Sequence, residues 1–132
     1  MVNQEYLIQL SMIEQEANKF EEKLKIIEQQ SVELQTLQLS LDEIKESTDG
    51  KILAGLGKGI YLETEVKNKD VFVNVGGNTI LKKSIDETKN IIGEQIQKLE
   101  KAKKEVVVQI LGLQERTREI IDKARQEMKK DK

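Results

Sequence analysis

Gly55-Leu56-Gly57-Lys58-Gly59 is the stretch whose residue types come nearest to chemistry, because glycine amides and a neighbouring lysine can cradle a phosphate. A phosphate loop requires Lys followed by Ser or Thr at the opening of a helix, and a dinucleotide fingerprint requires G-x-G-x-x-G in the same setting. Here Lys58 is followed by Gly59 and then by the alternating Ile60-Tyr61-Leu62-Glu63, so the glycines read as a turn between strands. The many Glu residues would serve acid–base catalysis only in a pocket able to shift their pKa values, and they fall on solvated helical faces instead. The chain has no Cys and no His, which removes thiol chemistry, the usual zinc ligands and the side chain best suited to proton transfer near neutral pH. The residues therefore predict a protein that is not an enzyme and that has no catalytic, cofactor or metal site. Function must lie in surfaces that bind other chains.

Those surfaces rest on two kinds of element. Tyr6, Leu10, Ile13, Ala17, Phe20, Leu24, Ile27, Ser31 and Leu34 alternate steps of four and three, which is a narrow seam for one partner helix. Ile92, Ile96 and Leu99, then Val106, Ile110, Leu113, Thr117, Ile120 and Ala124, repeat the pattern. Two arms of nearly equal length predict an antiparallel coiled-coil hairpin, each arm reaching roughly 65 Å at 1.5 Å per residue. With 35% charged residues, two Phe, two Tyr and no Trp, the 132-residue chain has apolar groups for seams and not for a large round core. Asn3 is placed to cap the first helix and Gly50 to end it. Ser84-Ile85-Asp86-Glu87 fits a capping box for the second.

Charge supports the fold-back. Residues 1–47 carry 4 Lys against 10 acidic residues, whereas residues 84–132 carry 12 basic against 10 acidic. An acidic arm facing a mildly basic one favours pairing within the chain. If residues near 47 and 84 are level, facing residues have numbers summing to about 131. That register brings together Glu14 with Arg116 or Arg118, Glu28 with Lys103, Glu33 with Lys98, and Asp42 with Lys89. The basic residues are diluted by acids at nearly every turn, which argues against a nucleic-acid partner. No apolar run approaches 20 residues and no secretory leader is visible, so no membrane partner is expected and the chain reads as soluble and intracellular.

Between the arms the apolar period changes to two. Strands are expected at Lys51 to Leu56, Gly59 to Val66, Val71 to Val75 and Thr79 to Lys83, forming two hairpins joined by Lys67-Asn68-Lys69-Asp70. The fold class is thus α+β in a single domain, 1–132, with helix one over 4–48, hairpins over 50–83 and helix two over 84–130. The strands present open edges and a β-branched face that thin arms cannot cover, so oligomerisation through them is expected. The expected assembly residues are Ile52, Leu53, Ile60, Leu62, Val66, Val71, Val73, Val75, Ile80 and Leu81. At the free arm ends, Tyr6, Leu7, Leu10, Ile120, Ile121 and Met128 are expected to contact other proteins, since aliphatic and Met side chains repack on many shapes.

This order of arm, two hairpins and arm resembles the prefoldin family, and the second hairpin resembles its alpha-type subunit, since the beta type has one. The most specific stretches are Lys51-Ile-Leu-Ala-Gly-Leu-Gly-Lys-Gly-Ile-Tyr-Leu62, Asp70-Val-Phe-Val-Asn-Val-Gly-Gly77 and Leu81-Lys-Lys-Ser84. The family commonly has Val-Pro where this chain has Leu53-Ala54, and an aromatic residue after the last glycine where it has Asn78-Thr79. The resemblance implies two alpha-type subunits joined through their hairpins with four beta-type subunits, in an intersubunit β-barrel platform bearing the coiled coils. It further implies an ATP-independent holdase that binds unfolded proteins and passes them to a cytosolic group II chaperonin. The rival reading is a structural scaffold or tether that oligomerises through its strands and binds one defined partner.

Overall fold

In the computed structural model, residues 4–130 are described, so the cap expected of Asn3 lies outside the described residues. The elements run α1 (Gln4–Glu46), β1 (Lys51–Gly57), β2 (Ile60–Glu65), β3 (Val71–Gly76), β4 (Thr79–Lys83) and α2 (Ile85–Lys130). The chain divides into two compact units, Met1–Ser31 with Lys98–Lys132, and Val32–Gln97.

The first unit pairs the N-terminal part of α1 with the C-terminal part of α2. Ile13, Leu113 and Ile120 are buried together, and Tyr6, Leu10, Ala17 and Phe20 pack against them. Ile27 and Val106 are buried further along the same helices. In α1 these residues recur every seven positions as 6, 13, 20 and 27, and in α2 as 106, 113 and 120. A strict seven-residue period keeps one narrow stripe on the partner. The helices run antiparallel, as the Glu28–Lys103 ion pair at 3.6 Å requires when Tyr6 also reaches Glu127.

The second unit holds the hairpins on the other parts of the two helices. Leu41, Ile85 and Ile92 form its buried cluster, with Leu34, Ile44, Val71 and Ile96 packed against it. Lys45 pairs with Asp86 at 2.6 Å and Lys89 with Asp42, so the helices are antiparallel here too. The capping box forms by half. The Glu87 amide donates to the Ser84 hydroxyl at 3.1 Å, while the Glu87 carboxylate turns to Lys83 at 3.9 Å.

Strands β1 and β2 pair antiparallel, as do β3 and β4, in two separate two-stranded sheets. At the first turn Lys58 and Gly59 both have positive φ, 52° and 77°, the left-handed pair that matches the twist of a two-residue hairpin. Gly57 and Lys58-Gly59 thus serve a bulge and a turn, and no helix follows them.

Candidate interaction surfaces

Side chains that the seam leaves outside form the first surface. In the first unit, Leu7, Ile8 and Met12 on α1 and Ile121 and Met128 on α2 are exposed. Heptad geometry explains them: Leu7, Ile121 and Met128 lie one place past the stripe, and Ile8 and Met12 lie farther round the helix, yet all are apolar. Of the six residues expected to contact other proteins, Leu7, Ile121 and Met128 are open to solvent, and Tyr6 and Leu10 are half-buried against the seam. Ile120 is turned into the seam and is only 9% exposed. The Tyr6 hydroxyl donates to Glu127 Oε1 at 2.6 Å, and that bond is the main reason its pKa is raised, with burial and the carboxylates of Glu127 and Glu5 adding to it.

Two grooves flank the seam of this unit. One, of about 390 Å³, has buried Ile13 and Leu113 among its lining residues. Its α1 side is the row Leu10, Glu14, Ala17, Glu21, and its α2 side the row Ile110, Gln114, Thr117, Ile121. Small side chains at Ala17 and Thr117 leave it hollow. The Thr117 hydroxyl also folds back on the Leu113 carbonyl at 2.9 Å. The groove on the other side includes Glu16, Glu119, Arg116 and Lys123, and is mixed in charge. Arg118 pairs with Glu115 on its own helix at 3.6 Å, so the expected partnership of Glu14 with Arg116 or Arg118 is not made. The expected Glu28–Lys103 and Asp42–Lys89 pairs do form. Glu33 belongs to one unit and Lys98 to the other.

The hairpins form the second surface. Cross-strand partners share a face, and in the first hairpin Ile52 faces Thr64 and Ala54 faces Leu62, whereas Leu53 faces Glu63 and Lys51 faces Glu65. One face is therefore free of charge, and the other mixes Leu53 and Tyr61 with three charged residues. In the second hairpin Val71 faces Lys83 and Val73 faces Leu81, while Phe72 faces Lys82 and Asn74 faces Ile80. Val71 belongs to the buried cluster's surround and Val73 is half-buried, so that face turns toward the helices. The expected assembly residues thus divide between faces: Leu53 is opposite in sense to Ile52 and Leu62, and Ile80 to Val73 and Leu81. Val66 and Ile52 are half-buried, and Ile60, Leu62, Val75, Ile80 and Leu81 are exposed. Leu56, Tyr61 and Phe72, which the expected set omits, are exposed as well, Phe72 at 73%. Their signal in the sequence is plain apolarity in a strand that has no second layer.

The junction between α1 and the hairpins is tied by polar bonds. Lys69 donates to the carbonyls of Lys45 at 2.6 Å and Ser47 at 2.9 Å, supplying donors to carbonyls at the end of a helix. Gly50, at φ 70°, takes the left-handed conformation that turns the chain into β1, and its carbonyl accepts from the Val66 amide at 2.5 Å. Asp49 accepts from the Lys51 amide and the Ser47 hydroxyl, in that order of effect, and its carboxyl is held below the usual range. The bond from Lys45 does the same for Asp86, with charge attraction second, while raising the Lys45 pKa. Among the described residues no helix is long and apolar enough to cross a membrane.

Two long helices with two small antiparallel β-hairpins between them in the chain define the class, a helical coiled-coil-like protein with a hairpin insertion. Residues 13–130 match the prefoldin subunit family, and the chain belongs to it. Its kinship there is with the alpha type. It is 25% identical over 89 residues to prefoldin subunit alpha of Methanosphaera stadtmanae, covering 67% of this chain and 64% of that relative. Against prefoldin subunit alpha of Methanococcus vannielii and of Methanococcus maripaludis it is 29% identical over 108 residues, covering 81% of this chain and 73% and 74% of theirs. A chain in the cryo-EM structure of filamentous PFD from Methanocaldococcus jannaschii shares the fold, with a TM-score of 0.50 at 20% identity over 92% of this chain and 96% of that one. Prefoldin subunits are chaperones, not enzymes.

Proposed function

We propose that this chain is the alpha-type subunit of an ATP-independent holdase. It would capture unfolded proteins on apolar side chains at the arm ends and assemble through its hairpins with beta-type subunits, two alpha with four beta. Delivery of the captured chain to a group II chaperonin in the cytoplasm completes the reading. The observation that carries it is the exposure of aliphatic side chains that the seam does not use: Leu7, Ile8, Met12, Ile121 and Met128 are not needed to hold the helices together. Leu7, Ile121 and Met128 each follow a seam position by one place and so share one side of the helix pair, and apolar side chains gathered in that way mark binding surfaces. Leu7, Leu10, Ile121 and Met128 would touch the client directly, with Tyr6 at the rim and Ile120 supporting the patch from the seam.

Assembly follows from the hairpins. Each sheet has two strands, so every strand has one side without a partner strand among the described residues, a template for strands from another subunit. The test is suppression of aggregation of a chemically denatured protein without nucleotide, by the chain alone and with a beta-type subunit. Removal of residues 1–10 and 121–132 should abolish suppression and leave assembly intact. Retained suppression after truncation, or none in the full-length assembly, would refute the reading. The scaffold alternative predicts binding of one partner and no general suppression.

A further inference from the structure

We propose that the groove beside Ala17 and Thr117 selects client segments in which aliphatic residues are flanked by Lys or Arg; this rests on the holdase reading and names the class of client it prefers. The groove offers Leu10, Ile13, Leu113 and Ile121 for apolar contact. Its only charged lining residues are Glu14 and Glu21, and no basic side chain joins them. Neither carboxylate has an ion-pair partner among the described residues. The register explains why. The ion pairs 28–103, 42–89 and 45–86 each sum to 131, and on the same count Glu14 is level with Thr117 and Glu21 with Ile110. The α2 residues level with both are therefore uncharged, and of the arginines that flank Thr117, Arg118 pairs with Glu115 and Arg116 lines the other groove.

On α1 Glu28 is matched by Lys103 and Asp42 by Lys89, whereas the two carboxylates beside the groove face no such partner. They stand seven residues apart, about 10 Å along the helix. A segment lying in the groove with its aliphatic side chains down would meet both carboxylates along one rim. Basic residues at that spacing would be attracted and acidic ones repelled. The groove on the other side of the seam, where Arg116 and Lys123 accompany Glu16 and Glu119, carries no such bias.

The experiment uses the full chain and three fluorescent peptides that share a Leu-Ile core and are flanked by Lys, Gln or Glu, with anisotropy read at low salt. The Lys-flanked peptide should bind roughly two- to thirtyfold more tightly than the Glu-flanked one. The Glu14→Gln/Glu21→Gln double variant, changed only at exposed positions, should collapse that spread. Ala17→Leu, which fills the hollow, should weaken the Lys-flanked peptide. Equal binding of the Lys and Glu peptides, an unchanged spread in the double variant, or full binding by Ala17→Leu would each overturn the groove proposal. If the chain still suppresses client aggregation in those cases, the holdase reading survives. If no peptide binds and aggregation proceeds unchecked, both fall.

Discussion

The Tyr6 hydroxyl donates to Glu127 at 2.6 Å, and Glu127 stands one heptad beyond Ile120, where the series 106, 113, 120 would call for another apolar residue. The last layer of this seam is therefore closed by a hydrogen bond. Because the bond, first among the causes, raises the Tyr6 pKa, its stabilising effect is complete below the ordinary tyrosine value and is lost as pH rises through the raised one. In a Tyr61→Phe background, ultraviolet titration should show Tyr6 ionising at a lower pH in Glu127→Gln than in the parent. Identical titration curves would count against the bond.

Acid should act on the other unit. Asp86 is held below the usual carboxylate range by Lys45, so its pairing is present above the unfolded-state value and disappears as pH falls through the lowered one. Thermal melting from pH 6 down to about 2 should show a loss of stability below about pH 4. Asp86→Asn should flatten part of that loss. Asp49, lowered by the Lys51 amide and then by Ser47, would supply a remaining share.

The arms, strands and turns were legible because each has a local period or a local residue requirement. Ile13 and Ile27 lie fourteen apart, Val106, Leu113 and Ile120 seven apart, and burial follows that count. Charge also gave the register: Glu28 with Lys103 and Asp42 with Lys89 meet as their summed numbers require. What escaped depends on direction or on distance in sequence. Ile120 and Ile121 are adjacent and chemically identical, yet one fills the seam and the other lies outside it. Leu53 is apolar like Ile52 but projects to the other face, a consequence of the two-residue strand period. The bonds from Lys69 to the Lys45 and Ser47 carbonyls join a linker to a helix end more than twenty residues away, and no short pattern signals them.

That lysine gives a sharp test. Lys69→Met keeps much of the aliphatic stem and removes both bonds, leaving the Lys45 and Ser47 carbonyls to water. A cost of about 1 kcal/mol is expected in denaturant unfolding, with faster amide exchange near Ser47 to Gly50. An unchanged midpoint and exchange pattern would show that the contact contributes nothing.

Stability and client binding should separate by position. Ile92→Ala, in the buried cluster with Leu41 and Ile85, should cost about 2–5 kcal/mol by leaving a cavity. Leu7→Ser, at an exposed site, should change stability by no more than about 0.5 kcal/mol and still reduce suppression of client aggregation. Measurements at one fixed protein concentration are needed, since assembly itself stabilises the folded chain.

The two faces of the first hairpin should differ in assembly. Ile52, Ala54, Leu62 and Thr64 make a face without charge, whereas Leu53 and Tyr61 share theirs with Lys51, Glu63 and Glu65. Desolvating a charged face on association is costly unless every charge is paired, so the uncharged one is the better candidate for burial against another subunit. Leu62→Glu should therefore abolish the complex with a beta-type subunit in native mass measurement, while Leu53→Glu, already beside Glu63, should retain it. Both positions are exposed in the single chain, at 54% and 68%, so neither substitution should unfold it. The reverse ranking would assign the charged face to the interface and require partner charges opposite Lys51 and Glu63.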